Sequence, residues 1–156
     1  TRQNHALEHA TITLLMGRLA RAGWVGGRST SSGFYLFGPV DTELLANTAA
    51  EALLRLQGGE HELAVHPNCG TNLVTTGTLT GLAALTATGI ARRAGLFDRI
   101  AAGVLAAIAA VIVSRPLGMT LQRRVTTLAD VRDMQISHIS RHQLGKLVMH
   151  RVRTDP

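Results

Sequence analysis

Residues 73 to 91 carry no charged side chain. As a helix this run rises about 28 Å, close to the roughly 30 Å of a bilayer's hydrocarbon core. Its many threonines soften it, but a helix absorbs their hydroxyls on its own carbonyls. A short polar stretch, Arg92 to Arg99, follows. Residues 100 to 113 are apolar again, and with Arg115 snorkelling the second span reaches about Thr120. Gly77 and Gly81 stand at GxxxG spacing, and Gly103 and Ala107 at small-xxx-small spacing. The pattern predicts an antiparallel transmembrane hairpin over about 71–121. The competing reading is a pair of buried helices in a soluble bundle, which the shorter second span keeps open.

The hairpin interrupts a mixed α+β sequence, residues 1–70 and 122–156, long enough for one domain. A helix is expected from about Asn4 to Ala20. The Gly/Ser-rich stretch Ala22–Gly33 reads as a loop. Phe34–Phe37 reads as a strand, either packed in the core or as an edge to which a peptide adds. Asp41 or Thr42 caps a second helix ending at Gln57–Gly58. Glu62–His66 alternates like a strand, and Thr71 or Asn72 is expected to cap the next helix. Strands near 131–139 and 147–153 form a hairpin around Arg141–Gly145. The fold class is therefore α+β, a small mixed domain interrupted by a two-helix transmembrane hairpin.

The first helix carries the chemistry. His5, Glu8 and His9 stand in the order H-x-x-E-H. At 100° per residue His9 lies about 40° round from His5, and Glu8 about 60° to the other side, so all three share a face. Two imidazoles one turn apart can hold one metal ion, and the carboxylate beside them can reach a metal-bound water. The bland reading is a pair of core histidines in a polar corner. A zinc site needs a third ligand. His66 is favoured because Pro67 and Gly70 fix the turn around it, with Cys69, Glu51 and Glu43 as reserves. Glu43, Asn47 and Glu51 otherwise read as a solvated helix face. Asn68, or the amides around Gly70, suit stabilisation of an oxyanion. His138, His142 and His150 read as strand or surface histidines.

The H-x-x-E-H pattern resembles the zinc-binding helix of the inverzincin metallopeptidases. That resemblance implies Zn²⁺ on His5 and His9 with Glu8 as general base. In that class the third ligand is usually a downstream helical Glu, and His66 would depart from it. The wider combination of His5–Thr11, Gly33–Gly38 and His66–Asn72 before a hairpin resembles a bacterial membrane family known as a domain of unknown function. Two functions follow as expectations. One is a membrane-embedded zinc peptidase or hydrolase acting on a peptide or protein. The other is a non-catalytic subunit of a membrane complex, or a homo-oligomer, with a structural metal, a haem or neither.

The net charge of +6 usually points to an anionic partner. Here the arginines are scattered and no aromatic platform accompanies them, so membrane lipid is expected and nucleic acid is not. Arginines at the two ends of the hairpin nearly balance, so the positive-inside rule gives no orientation. The single Cys69 fits a reducing compartment, and no signal-peptide pattern opens the sequence. The α+β part is therefore expected on the cytoplasmic side of a bacterial inner membrane.

Overall fold

The computed structural model describes residues 1–19 and 24–155. Ala20, where the first helix was expected to end, and Ala22–Gly23 of the expected loop lie outside them. The chain divides into two compact units, Thr1–His66 with Arg123–Pro156, and Pro67–Gln122.

The first unit is α+β. Helix α1 (Arg2–Arg18) leads to strands β1 (Gly26–Thr30) and β2 (Gly33–Phe37), helix α2 (Thr42–Gln57), and later β3 (Gln135–Leu144) and β4 (Leu147–Asp155). The sheet is antiparallel in the order β1-β2-β4-β3. Phe34, Leu36 and Val152 point from it into the core, where Leu7 and Leu15 of α1 and Leu45 and Leu56 of α2 cover them. The alternate residues Tyr35 and Phe37 form the outer face, with Arg151 over the Tyr35 ring. Asp41 caps α2 as expected, its Oδ1 accepting from the Glu43 and Leu44 amides at 2.9 and 3.0 Å. These bonds, that of Leu44 foremost, lower the Asp41 carboxyl below its ordinary range.

Three expectations change. The strand expected over 131–139 begins at Gln135 and runs on to Leu144, so residues 141–144, read as the turn, extend β3, and the chain reverses at Gly145. Residues 26–30, read as loop, form β1, because Gly33 at φ 130° closes a tight turn that lets them pair with β2. β2 is consequently an inner strand, and the edge belongs to β1. Residues 62–66, read as strand, instead contain a 3₁₀ turn, His61–Ala64. Its amides bond locally, Leu63 to Glu60 and Val65 to Glu62, and the Ala64 carbonyl accepts a side-chain donor, so no ladder is made.

His150 on β4 is fully buried, with Nε2 3.0 Å from Thr42 Oγ1 and Nδ1 without a hydrogen-bond partner. Burial lowers its pKa; Arg141 and His142 of β3 push the same way, and Asp41 opposes them. Below about pH 6.5 the unfolded chain thus binds a proton that folded His150 resists, and stability falls with pH from there. The melting midpoint in detergent is expected to drop between pH 7 and pH 5, and His150→Gln to flatten that drop. An unchanged slope in the variant would clear His150. Asp130 behaves differently. The Arg132 guanidinium holds it at about 2, so its contribution is present above the ordinary carboxylate value and lost only as pH falls through about 2.

The second unit is a helical hairpin. α3 (Gly70–Ile90) and α4 (Leu96–Leu121) pack antiparallel, as three levels of contact show. Asn72 Nδ2 approaches Met119 Sδ at 3.6 Å, Thr76 Oγ1 meets Ser114 Oγ at 2.8 Å, and Thr88 faces Gly103. Cys69, rather than Thr71 or Asn72, is the N-cap of α3, its Sγ accepting from the Thr71 amide. The close approach is made at Gly103 and Gly118, where a Cβ would meet Thr88 and Asn72. At Gly77 and Gly81 a Cβ would meet nothing within 4 Å, so that GxxxG pair does not join the two helices. Both helices are long and apolar enough to cross a membrane. Neither buries its large apolar side chains: Leu73, Leu85, Ile90 and Phe97 are 76, 71, 80 and 86% exposed.

Candidate metal centre

His5, Glu8 and His9 lie in the first half of α1, where the helix is held at several points. The Arg2 guanidinium donates to the carbonyls of Arg124 and Thr127, both at 3.0 Å, and Gln3 donates to that of Asp130 at 2.8 Å. Asn4 donates to the Thr30 carbonyl at 2.9 Å and accepts from Thr154 at 2.6 Å. α1 is thereby fixed both to the sheet and to the segment that follows residue 123.

The two imidazoles meet edge to face, with ring centroids 4.3 Å apart. His5 Nδ1 lies 2.9 Å from the Thr126 carbonyl oxygen, and His9 Nδ1 lies 2.8 Å from that of Ala64. A carbonyl can only accept, so each Nδ1 carries the hydrogen. In the neutral ring the lone pair then sits on Nε2, which is how metal-binding histidines are usually oriented. His66 closes the row, its ring centroid 6.0 Å from that of His9. Two imidazoles on one tetrahedral zinc ion have centroids roughly 5 Å apart, given Zn–N bonds of about 2 Å. The two observed separations lie on either side of that value.

Glu8 is buried and packs toward β1. The Ser29 hydroxyl donates to its Oε2, and Gly27 leaves the space its carboxylate fills. A Cβ on Gly27 would stand 2.7 Å from Glu8 Cδ and 2.8 Å from Cγ, so a side chain there displaces the carboxylate. Neither residue stands out in the sequence, because the contact joins elements about twenty residues apart. The one local sign is the pair Gly26-Gly27 at the start of what becomes a strand, where a close approach is the usual reason for glycine.

The other candidates are placed as follows. Glu51 forms ion pairs with Arg18 and Arg55. Arg18 stands nine residues beyond His9, roughly 14 Å along α1. The structure therefore does not bring Glu51 to the histidines. Glu43 is exposed in the first turn of α2. Asn68 is exposed in the turn before α3, and Cys69 is buried at its start. Within the second unit these two line a cleft with Asn72, Arg115 and Met119.

DUF6391, a domain of unknown function, matches residues 1–139, from α1 through the hairpin into β3. The chain belongs to this family. It is also 39% identical over 134 residues to an uncharacterized protein of Picosynechococcus sp., a match covering 81% of this chain. The match covers 65% of that relative's length. No solved structure matches the chain. The family and the relative carry no described activity, so a function has to be argued from the site.

Proposed function

We propose that this DUF6391 chain is a membrane-embedded, zinc-dependent hydrolase of the peptidase type. The observation that carries the reading is the shared tautomer of His5 and His9. Two adjacent rings with Nδ1 pinned to backbone carbonyls put two Nε2 lone pairs on one helix. His66 is proposed as third ligand. Cys69 is the first reserve, since three residues of chain keep it within about 10 Å of His66. Glu51 is a weaker reserve because of its ion pairs, and Glu43 because of its exposure.

A zinc ion held here would supply Lewis-acid polarisation and a hydroxide nucleophile near neutral pH. The remaining work falls to the chain. Glu8 takes a proton from the attacking water as its oxygen bonds to the substrate carbonyl carbon. It returns that proton to the leaving nitrogen as the C–N bond breaks. The Ser29 hydroxyl fixes the plane of the Glu8 carboxyl. Asn68 is assigned to the oxyanion, from its place two residues after His66.

A second reading is favoured by the burial of Glu8 itself. A carboxylate enclosed by Ser29 and Gly27 also suits a structural role, in a non-catalytic subunit of a membrane complex whose histidines hold a structural metal or haem. Zinc analysis together with hydrolysis of an unfolded polypeptide, on one preparation, tests the catalytic reading. Metal bound in stoichiometric amount without turnover would favour the structural role.

The hairpin is proposed to span the bacterial inner membrane and contact lipid. The support is the unburied apolar surface along both helices, which water would not tolerate over so large a patch. Gly77 and Gly81 would suit a helix of another copy or of a larger complex. The single Cys69, which leaves no internal disulfide to form, favours the cytoplasmic side for the α+β unit. The chain is expected to stay in the membrane fraction through alkaline and high-salt washes and to need detergent for extraction. Gly118→Leu is expected to lower the melting midpoint in detergent, because its side chain would enter the space of Asn72. A monodisperse detergent-free monomer would refute the membrane assignment.

A further inference from the structure

β1 is an edge strand whose outward backbone groups lie beside Glu8. The turn Ser31–Ser32 makes Thr30 and Gly33 a hydrogen-bonded pair, so Arg28 with Tyr35 and Gly26 with Phe37 are the next such pairs. The β2–β4 side has the complementary parity. The Gly38 amide donates to the Val148 carbonyl at 3.0 Å, and the Thr154 amide to that of Ser32 at 3.3 Å. Even-numbered residues of β2 therefore bond β4, and odd-numbered ones bond β1. Gly27 and Ser29 fall between the bonded pairs of β1, so their N–H and C=O groups point away from β2. Among the described residues β1 has no strand on that side. These are the same two residues that hold Glu8, through the Ser29 hydroxyl and the bare Cα of Gly27.

We infer that the β1 edge is the substrate-binding strand, and that its ligand is an extended segment of unfolded polypeptide. The chemistry is complementary. Each such residue offers one donor and one acceptor along the edge, and an extended peptide presents the same alternation. A strand bonded to Gly27 and Ser29 runs past the carboxylate that Ser29 holds. Its side chains alternate across the sheet plane. Those on the outer face meet Arg28 and the indole of Trp24, which lies across Gly26 and is 69% exposed. A compact folded domain offers no free extended segment to such an edge, so the site selects unfolded polypeptide. The inference gives the hydrolase reading its substrate class and rests on that reading for its meaning, but its test does not require turnover.

The test is residue-resolved amide hydrogen exchange on the full chain in detergent micelles, carrying Glu8→Gln to prevent cleavage. The probe is reduced, carboxymethylated α-lactalbumin, which is permanently unfolded, with intact lysozyme as the folded control. At saturating probe the Gly27 and Ser29 amides are expected to exchange at least about 10-fold more slowly, and the Arg28 amide, already bonded to β2, to change by less than about 2-fold. Lysozyme should change none of them. The same pattern in the wild-type chain with EDTA guards against a defect in the variant. Binding without slowing at Gly27 and Ser29, slowing along β3 instead, or no binding of the probe overturns the inference. Slowing without turnover by the wild type would sink the hydrolase reading and leave β1 as a polypeptide-binding edge. Turnover without slowing would sink the edge and leave the hydrolase.

Discussion

Purified without added metal, the chain is expected to carry about one zinc ion per molecule, and His9→Ala to retain less than about a tenth of it. His9 is the central ring of the row, with His5 at 4.3 Å on one side and His66 at 6.0 Å on the other. Removing it takes away one of three proposed ligands and leaves the outer two without a common neighbour. His5→Ala and His66→Ala are each expected to cost a similar share. If His66→Ala keeps its metal while Cys69→Ser loses it, the third ligand moves to Cys69. The rest of the assignment then stands. His5→Gln is the useful control for packing, because its side-chain amide can still donate to the Thr126 carbonyl while supplying no imidazole. Metal content is read by elemental analysis against protein concentration, with melting in detergent showing that each variant is folded. A wild-type chain that carries no zinc and takes up none on reconstitution would end the metal reading.

The parts of this fold that were legible in the sequence are those decided by local pattern. Helices α1 and α2, the Asp41 cap and the two apolar helices each follow from residues within a few turns of one another. Cys69 caps α3 two or three residues before the Thr71 or Asn72 that the sequence predicts, because a cysteine sulfur is a rare acceptor for that position. β1 is illegible in the sequence for a different reason. Gly26-Gly27-Arg-Ser-Thr30 has no apolar alternation, and it is a strand because β2 presents odd-numbered backbone groups that need partners. Glu62–His66 alternates like a strand but has no ladder to join. The H-x-x-E-H spacing placed His5, Glu8 and His9 on one helix face. It could not show that Ala64 and Thr126 set the tautomers, since these carbonyls come from 55 and 121 residues away. Nor could it show that Ser29 and Gly27 hold Glu8, which depends on the strand that was missed.

Glu8→Gln is expected to separate catalysis from metal binding more sharply than any histidine variant. The substitution is isosteric, and the amide oxygen can still accept the Ser29 hydroxyl, so the β1 contact and the packing on Gly27 survive. What is lost is the ability to take a proton. Zinc content should stay near the wild-type level, while hydrolysis of an unfolded polypeptide falls by about 10²–10⁴-fold, the usual span for a general base. Ser29→Ala probes the same group from the side. It leaves the carboxylate intact but frees its plane, so a smaller loss of turnover is expected, again with zinc retained. The two variants together discriminate the roles. If Glu8→Gln releases the metal as the histidine variants do, Glu8 is a ligand or an essential support for one, and a closed structural site becomes the better account. If zinc stays and turnover is unchanged, Glu8 is not the base, and the proton must pass through another group. A loss confined to turnover, larger in Glu8→Gln than in Ser29→Ala, is the ordering that the proposed roles require, with Glu8 as the base and Ser29 holding its carboxylate.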